Sequence, residues 1–193
     1  MNPSPSENGP AQRNVCVFCA SSSGVDPIFL ESAKALGQAI AKRGWQLVYG
    51  GAQVGLMGAM ADAALAHGGS VTGVIPHALV EREIAHRGLT ELIETSSMHE
   101  RKAEMARRAD AFLVLPGGLG TLDELCEILT WSLLGIHDKP VVLINIAGYW
   151  DAFLAMLDAA VTAGFLRGAH PRLPLVAGDA EEACRKVEMA RRP

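Results

Sequence analysis

The sequence contains no run of apolar residues close to the ~18 that a membrane-spanning helix needs. Residues 1–13 are rich in Pro, Ser, Asn and Gly, and they lack the apolar core that a signal peptide carries. We therefore expect a cytoplasmic protein in which residues 1–13 form a disordered tail and residues 14–193 form a single folded domain.

An excess of positive charge is also absent. The 17 Lys and Arg residues are outnumbered by 21 Asp and Glu, which gives a formal net charge of −4. Nucleic acids and acidic membranes are normally bound by a basic face, so the composition predicts neither as a partner. It still permits a small anionic ligand, because a few local donors can hold one phosphate.

Cysteine is scarce, and two of the four cysteines form a C-x-x-C pattern at Cys16 and Cys19. A redox pair of this kind belongs at the start of a helix, and a zinc site needs a second pair. Both cysteines instead lie in the apolar run Val15–Ala20, and no second pair follows. We predict buried, reduced thiols in a strand and no metal site.

Short apolar runs alternate along the chain with longer segments of helical periodicity. The runs predict strands at 14–20, 45–49, 70–75, 111–115, 139–144 and, weakly, 173–176. The periodic segments predict helices at 27–43, 56–67, 97–109, 119–134, 149–163 and from 179, with an irregular charged loop over 77–95. Because the strand runs are almost continuously apolar, both faces of each strand should be buried. The pattern predicts an α/β fold: a doubly wound, mostly parallel sheet with helices on both faces.

Three of the predicted strand-to-helix loops are small or glycine-rich, namely 21–24, 50–58 and 117–121. In a parallel sheet such loops meet beyond the carboxyl ends of the strands, where ligands bind. Glycine allows close approach to main-chain N–H groups, and the helix that follows adds its positive end. Each loop alone is equally well explained as a tight turn, but the three together favour an anion site for a phosphate. The second loop lacks the G-x-G-x-x-G spacing and follows the second strand, which disfavours a nicotinamide cofactor.

Charged residues flank the third loop. Asp123 and Glu124 begin the helix that follows it, a position that acidic residues also favour for purely structural reasons. Glu124 lies off the apolar stripe of that helix and is the candidate to activate a water or to stabilise a cationic sugar. Arg101 and Lys102 flank a methionine stripe on the preceding helix, where snorkelling from the rim explains them at least as well as a functional role.

These segments resemble the Lonely Guy (LOG) family of cytokinin-activating nucleoside 5'-monophosphate phosphoribohydrolases. Residues 116–124 fit the motif P-G-G-x-G-T-x-x-E, and residues 98–102 fit the motif M-x-x-R-K that precedes it. Segments 50–58, 73–76 and 130–140 are also similar to the family, so that the resemblance spans roughly residues 14–170.

The resemblance implies a Rossmann-like homodimer without a metal or redox cofactor. The implied reaction is hydrolysis of the N-glycosidic bond of an adenine-type nucleoside 5'-monophosphate, such as AMP or a cytokinin riboside 5'-monophosphate. Arg101 and Glu124 match the catalytic pair of the family, with Glu124 opposing charge on the ribose and Arg101 offsetting charge on the base or fixing the pose. Together with the glycine-rich loops, the predicted substrate-binding set is Ser21, Gly51, Glu83, Arg101, Lys102, Gly117, Gly118, Leu119, Gly120, Thr121, Leu122, Asp123 and Thr130.

Two other functions stay open at this point. A non-catalytic nucleotide-binding or carrier protein would use the same loops, although it would not need Glu124 paired with Arg101. An amino-acid decarboxylase usually needs pyridoxal phosphate on a Schiff-base lysine. Of the lysines in the chain, only Lys102 lies in the predicted crevice.

Overall fold

The computed structural model describes residues 12–80, 85–166 and 174–190. Strands in these residues are β1 (Asn14–Phe18), β2 (Gln46–Tyr49), β3 (Ser70–Pro76), β4 (Glu91–Thr95), β5 (Ala111–Val114), β6 (Val141–Ile144) and β7 (Leu175–Ala177). Helices are α1 (Pro27–Lys42), α2 (Gly55–Ala66), α3 (Met98–Arg108), α4 (Leu119–Leu133), α5 (Asp151–Thr162) and α6 (Ala180–Met189). Short 3-10 turns precede β4, at His77–Leu79, and α5, at Ile146–Gly148.

The strands form one parallel sheet in the order β4-β3-β2-β1-β5-β6-β7. The chain builds outward from β1 to β4 and then returns to place β5 on the other side of β1. The direction of winding therefore reverses between β1 and β5, and the loops that leave these two strands diverge at their carboxyl ends. In doubly wound folds this divergence opens a crevice for a ligand.

Both faces of the sheet are covered, as predicted. In β1, Val15 and Val17 belong to a core layer that includes residues of α1, α2 and α6, whereas Cys16 and Phe18 belong to a second layer with residues of α3 and α4. Full burial on both faces explains why the strands are continuously apolar. The predicted fold class is confirmed.

The prediction of buried thiols also agrees with the structure. Cys16 lies in β1 and Cys19 just beyond it, both are buried, and all four cysteines are free. No cluster of three or more His, Cys, Asp or Glu side chains in the described residues could hold a metal ion. Within the same ranges, no helix is both long and apolar enough to cross a membrane.

Two expectations from the sequence are wrong. The segment 77–95, expected to be irregular, contains strand β4 at the edge of the sheet. An edge strand tolerates exposed charges such as Glu91 and Glu94, so the criterion of a continuous apolar run misses it. Arg13, assigned to the tail, is buried, donates a hydrogen bond to the carbonyl of Val187 and lies over the ring of Trp45.

Candidate functional site

A cavity of about 300 Å³ opens at the carboxyl edge of the sheet, where the winding reverses. Its walls come from the loop after β1 and from the beginnings of α2, α3 and α4. This volume is at the lower end of the range for small-molecule sites. The lining residues are Cys19, Ala20, Ser21, Ser22, Met57, Met98, Arg101, Gly118, Leu119, Gly120, Thr121, Asp123 and Glu124.

Arg101 is buried in the wall of this cavity, with 4% of its surface exposed. Its Nε donates to the carbonyl oxygen of Val74 at 3.1 Å, and its Nη2 donates to that of Gly50 at 3.2 Å. The carbonyl oxygens orient the guanidinium but do not neutralise it, so that it presents a positive charge to the cavity. Snorkelling at the surface is therefore the wrong explanation for this residue.

Gly50 makes room for the guanidinium. A Cβ atom at position 50 would lie 2.1 Å from Nη2 of Arg101, so any side chain there would displace the arginine. From the sequence we placed Gly50 in an anion-binding loop and missed this contact. The two residues are 51 positions apart, and no local pattern links them.

The connection from β5 into α4 folds back tightly on the first turn of the helix. A Cβ atom at Gly117 would lie 2.0 Å from Oγ1 of Thr121, which explains the need for glycine there. Gly118 is the N-cap residue, and no side chain caps α4 in the described part of the chain. The first main-chain N–H groups of a helix need partners from outside the helix, and together with the positive helix end they suit an anion. Residues 118–121 line the cavity.

The two acidic residues that follow this loop have different surroundings. The Glu124 carboxylate is buried, with 5% exposed, whereas the side chain of Asp123 is 59% exposed at the rim. Burial, together with the nearby charge of Glu124, holds the pKa of the Cys19 thiol well above its ordinary value. Cys19 is therefore a neutral thiol in the wall, which leaves Glu124 as the buried acidic group facing the ligand space.

The loop after β1 is supported by the start of α2. The main-chain N–H of Met57 donates to the carbonyl oxygen of Ala20 at 3.3 Å. Gly55 has a φ of +62°, and a Cβ atom there would lie 2.4 Å from the carbonyl group of Ser21. The second glycine-rich loop therefore mainly packs against the first, and its contribution to the cavity wall is Met57.

Several residues of the predicted binding set lie outside the cavity wall. Lys102 Nζ forms ion pairs with Asp123 at 3.0 Å and with Glu127 at 3.1 Å. Thr130 donates to the carbonyl oxygen of Cys126 at 2.7 Å and borders an apolar groove on the outside of α4.

The remaining members of the set are also placed elsewhere. Gly51 lies against Ile75, Leu122 packs against the second core layer, and Gly117 borders a smaller neighbouring pocket. Glu83 is outside the described residues. The structure thus brings together Ser21, Arg101 and most of 118–124. It adds Cys19, which the sequence predicted only as a buried thiol, and Met57, which the sequence placed in the second glycine-rich loop without a role of its own.

A cavity with these donors at the reversal point of a doubly wound parallel sheet is the arrangement with which α/β proteins bind small anionic ligands. The molybdenum cofactor binding protein of Rippkaea orientalis has the same fold, with 23% identity and a TM-score of 0.69 over 92% of this chain and 96% of that chain. The Moco carrier protein of Chlamydomonas reinhardtii is similar, with 25% identity and a TM-score of 0.69 over the same shares. Because carriers share the fold, the fold alone does not distinguish a carrier from an enzyme.

The relatives that are similar in sequence are named as enzymes and not as carriers. The "Probable cytokinin riboside 5'-monophosphate phosphoribohydrolase LOGL1" of Oryza sativa subsp. japonica is 49% identical over 90% of this chain and 78% of its own length. The cytokinin riboside 5'-monophosphate phosphoribohydrolase LOG7 of Arabidopsis thaliana is 48% identical over 91% of this chain and 81% of its own length. Residues 57–187 match the family model described as "Possible lysine decarboxylase".

The chain belongs to the LOG family of phosphoribohydrolases. Membership confirms the resemblance seen in the two motifs, and it supports an enzyme that hydrolyses N-glycosyl bonds over the carrier alternative.

Proposed function

We propose that the cavity binds an adenine-type nucleoside 5'-monophosphate, AMP or its N6-prenylated form, and hydrolyses it to the free base and ribose 5-phosphate. One observation carries this proposal. The buried carboxylate of Glu124 and the buried guanidinium of Arg101 line the same cavity as the start of α4, whose N-cap residue is Gly118. These are the three groups that the reaction requires, and the relatives named above carry the same activity in their names.

The phosphate binds at the start of α4. Main-chain N–H groups of residues 118–121 supply donors there, and the helix end supplies positive charge. A nucleoside without the phosphate loses these contacts, so we expect it to react poorly.

Glu124 acts on the ribose. As the N-glycosidic bond breaks, its electron pair leaves with the base and positive charge develops on the sugar ring. The carboxylate stabilises this charge and accepts a proton from the attacking water, whose oxygen bonds to the anomeric carbon. Its burial keeps bulk water away and strengthens the electrostatic interaction.

Arg101 stabilises negative charge on the substrate. Its position is fixed by the carbonyl oxygens of Gly50 and Val74. A guanidinium held in this way needs no reorganisation when negative charge develops on the departing base or lies on the phosphate.

The decarboxylase alternative is not supported by Lys102. Burial alone would lower the pKa of its ammonium group, but the hydrogen bonds that it donates to Asp123 and Glu127 outweigh burial and raise the pKa. A Schiff-base lysine must lose its proton before it attacks a carbonyl. The environment of Lys102 favours the protonated form, which suits a structural ion pair.

The protein also forms a homodimer in our proposal, through an apolar surface that we call the α4–α5 face. None of the twelve residues of α5 is buried, although the helix is rich in Leu, Met, Phe and Ala. Met156 is 58% exposed and Phe165 is 86% exposed beside a groove of about 270 Å³. Contiguous apolar surface of this kind marks an interaction site. The face consists of Cys126, Leu129, Thr130, Leu133, Phe153, Met156, Leu157, Ala160, Phe165 and Leu166.

The activity is tested by incubating the purified protein with AMP, with isopentenyladenosine 5'-monophosphate and with the two nucleosides, and measuring free base by chromatography. We expect base release from the monophosphates and little from the nucleosides. Glu124→Gln should lower kcat by about 10²- to 10⁴-fold, because it removes the charge and the proton acceptor but keeps the size.

Glu127→Gln is the matched control, since it makes the same change one turn further along α4, at a residue outside the cavity. Its activity should stay near that of the unmodified protein. Nucleotide binding without base release would instead favour the carrier function, and near-normal turnover by Glu124→Gln would exclude Glu124 as the catalytic carboxylate.

A further inference from the structure

Tyr149 contacts the connection from β5 into α4, where we place the phosphate, at Gly117, a residue outside the cavity wall. Its hydroxyl donates to the carbonyl oxygen of Gly117 at 2.6 Å. The ring packs edge-on against Phe29 and Trp150, with centroid distances of 5.8 and 5.1 Å. These contacts fix the hydroxyl in place although Tyr149 itself is 44% exposed.

The hydrogen bond determines which way the peptide group between Gly117 and Gly118 faces. No peptide bond in the described residues is cis, and in a trans peptide the C=O and the following N–H point in opposite directions. With the Gly117 oxygen held on the Tyr149 side, the N–H of Gly118 points away from Tyr149. Gly117, Gly118 and Tyr149 line the smaller pocket of about 140 Å³, whereas Gly118 but not Gly117 lines the large cavity.

We propose that Tyr149 is a positioning residue for the phosphate: it holds the Gly117–Gly118 peptide so that the Gly118 N–H donates into the cavity. The peptide group between two glycines can adopt many orientations. A contact from another residue is therefore needed to select one orientation. Hydrogen bonding to the carbonyl oxygen also polarises the amide and makes its N–H a stronger donor. This role rests on the proposed function, since it takes the start of α4 as the phosphate site.

Tyr149→Phe is the variant to test, because it removes the hydroxyl and keeps the ring that packs against Phe29 and Trp150. We expect KM for AMP to rise about 5- to 10-fold while kcat changes less than about 2-fold. The affinity for ribose 5-phosphate, measured by titration calorimetry, should fall by the same factor as KM rises. Inhibition by free adenine should not change, because in this proposal it is the phosphate that binds at the Gly117–Gly118 peptide.

Tyr49→Phe is the matched control. Its hydroxyl also donates to a main-chain carbonyl in a glycine-rich loop, that of Ala52 at 3.2 Å, but neither residue lines the cavity. Its loss should leave KM and ribose 5-phosphate affinity unchanged.

The possible outcomes distinguish failure of the positioning role of Tyr149 from failure of the proposed hydrolase function. Unaltered ribose 5-phosphate affinity in Tyr149→Phe, or an equal loss of adenine inhibition, overturns the positioning role while the hydrolase activity stands. If the unmodified protein releases no base but binds ribose 5-phosphate, the hydrolase proposal fails and the calorimetric comparison still decides the role of Tyr149. A protein that neither releases base from AMP nor binds ribose 5-phosphate would overturn both.

Discussion

The two ends of helix α4 differ in the residues that surround them and in how far these are exposed to solvent. At the amino end, Thr121 and Glu124 are buried polar residues against a cavity whose other walls come from the same chain. At the carboxyl end, Leu133 and Thr130 border an apolar groove that α5 leaves open, and Leu134 is 71% exposed. The first end has buried polar groups beside a cavity, whereas the second has apolar surface exposed to water.

The proposed active site therefore lies at the amino end of α4, and the proposed dimer interface lies at its carboxyl end. Buried polar groups need specific partners, and at the amino end these surround a space of ligand size. Apolar surface needs only to be covered, and at the carboxyl end a second copy of the same face would cover it. Substitutions at one end of α4 should therefore affect catalysis, and substitutions at the other should affect the oligomeric state.

The largest effect expected at the amino end, apart from loss of Glu124 itself, comes from Gly50→Ala. Gly50 does not have a positive φ, so alanine suits the backbone. Its Cβ would nevertheless collide with Arg101, and we expect kcat/KM to fall about 100-fold, as it should in Arg101→Lys, because both displace one positioned donor. Steady-state assays of both variants check this prediction.

Gly24→Ala is the control for Gly50→Ala, since a Cβ atom at Gly24 meets nothing within 4 Å. Gly24→Ala should retain full activity. Normal kcat/KM in Gly50→Ala would show that the observed position of Arg101 is not required for catalysis.

At the carboxyl end, Met156→Glu should dissociate the proposed homodimer. Burying an unpaired carboxylate in an apolar interface costs about 2 kcal/mol or more, so the dimer dissociation constant should rise at least about 30-fold. Light scattering coupled to gel filtration measures the change. Met189→Glu places the same charge on a residue of α6 that is more exposed than Met156, at 85% against 58%, and lies outside the α4–α5 face; it should leave the mass unchanged. Equal masses for both variants and the unmodified protein would exclude the α4–α5 face as the interface.

The residues at the amino end of α4 could be predicted from the sequence because they are close together in the chain. The glycines and the threonine of 117–121 lie within one loop and helix turn, and Glu124 follows a single turn later. The alternation of apolar runs and helices likewise placed this loop at the carboxyl edge of a parallel sheet.

Contacts between distant segments were not predictable in the same way. The fit of Arg101 against Gly50, the wall formed by Met57, and the contact from Tyr149 to Gly117 all join residues that are far apart in the chain. Strand β4 was missed for a different reason, because its burial is partial at a sheet edge and its exposed glutamates interrupt the apolar pattern. Periodicity reports which residues are buried, but it does not report which neighbours they meet.

The smallest effect is expected on α3, at a charged cluster outside both the cavity wall and the α4–α5 face. Hydrogen bonds from Arg107 and Arg108 lower the pKa of Glu104 to about 2 from an ordinary 4.5. A lowered folded-state pKa stabilises the protein above the unfolded-state value, and this contribution is lost as the pH falls from about 4.5 towards 2. Because the cluster is at the surface, Glu104→Gln should lower the free energy of unfolding by only about 0.5–1 kcal/mol at pH 7.

Urea denaturation of the two proteins at pH 7 and at pH 3 tests this titration. The difference between Glu104→Gln and the unmodified protein should shrink at pH 3, where Glu104 begins to bind a proton in the folded state as well. A difference that is equal at both pH values would mean that packing of the Glu104 stem, and not its charge, stabilises α3. The activity at pH 7 and the mass of the assembly should be unchanged in this variant, because Glu104 lies neither in the cavity wall nor on the α4–α5 face.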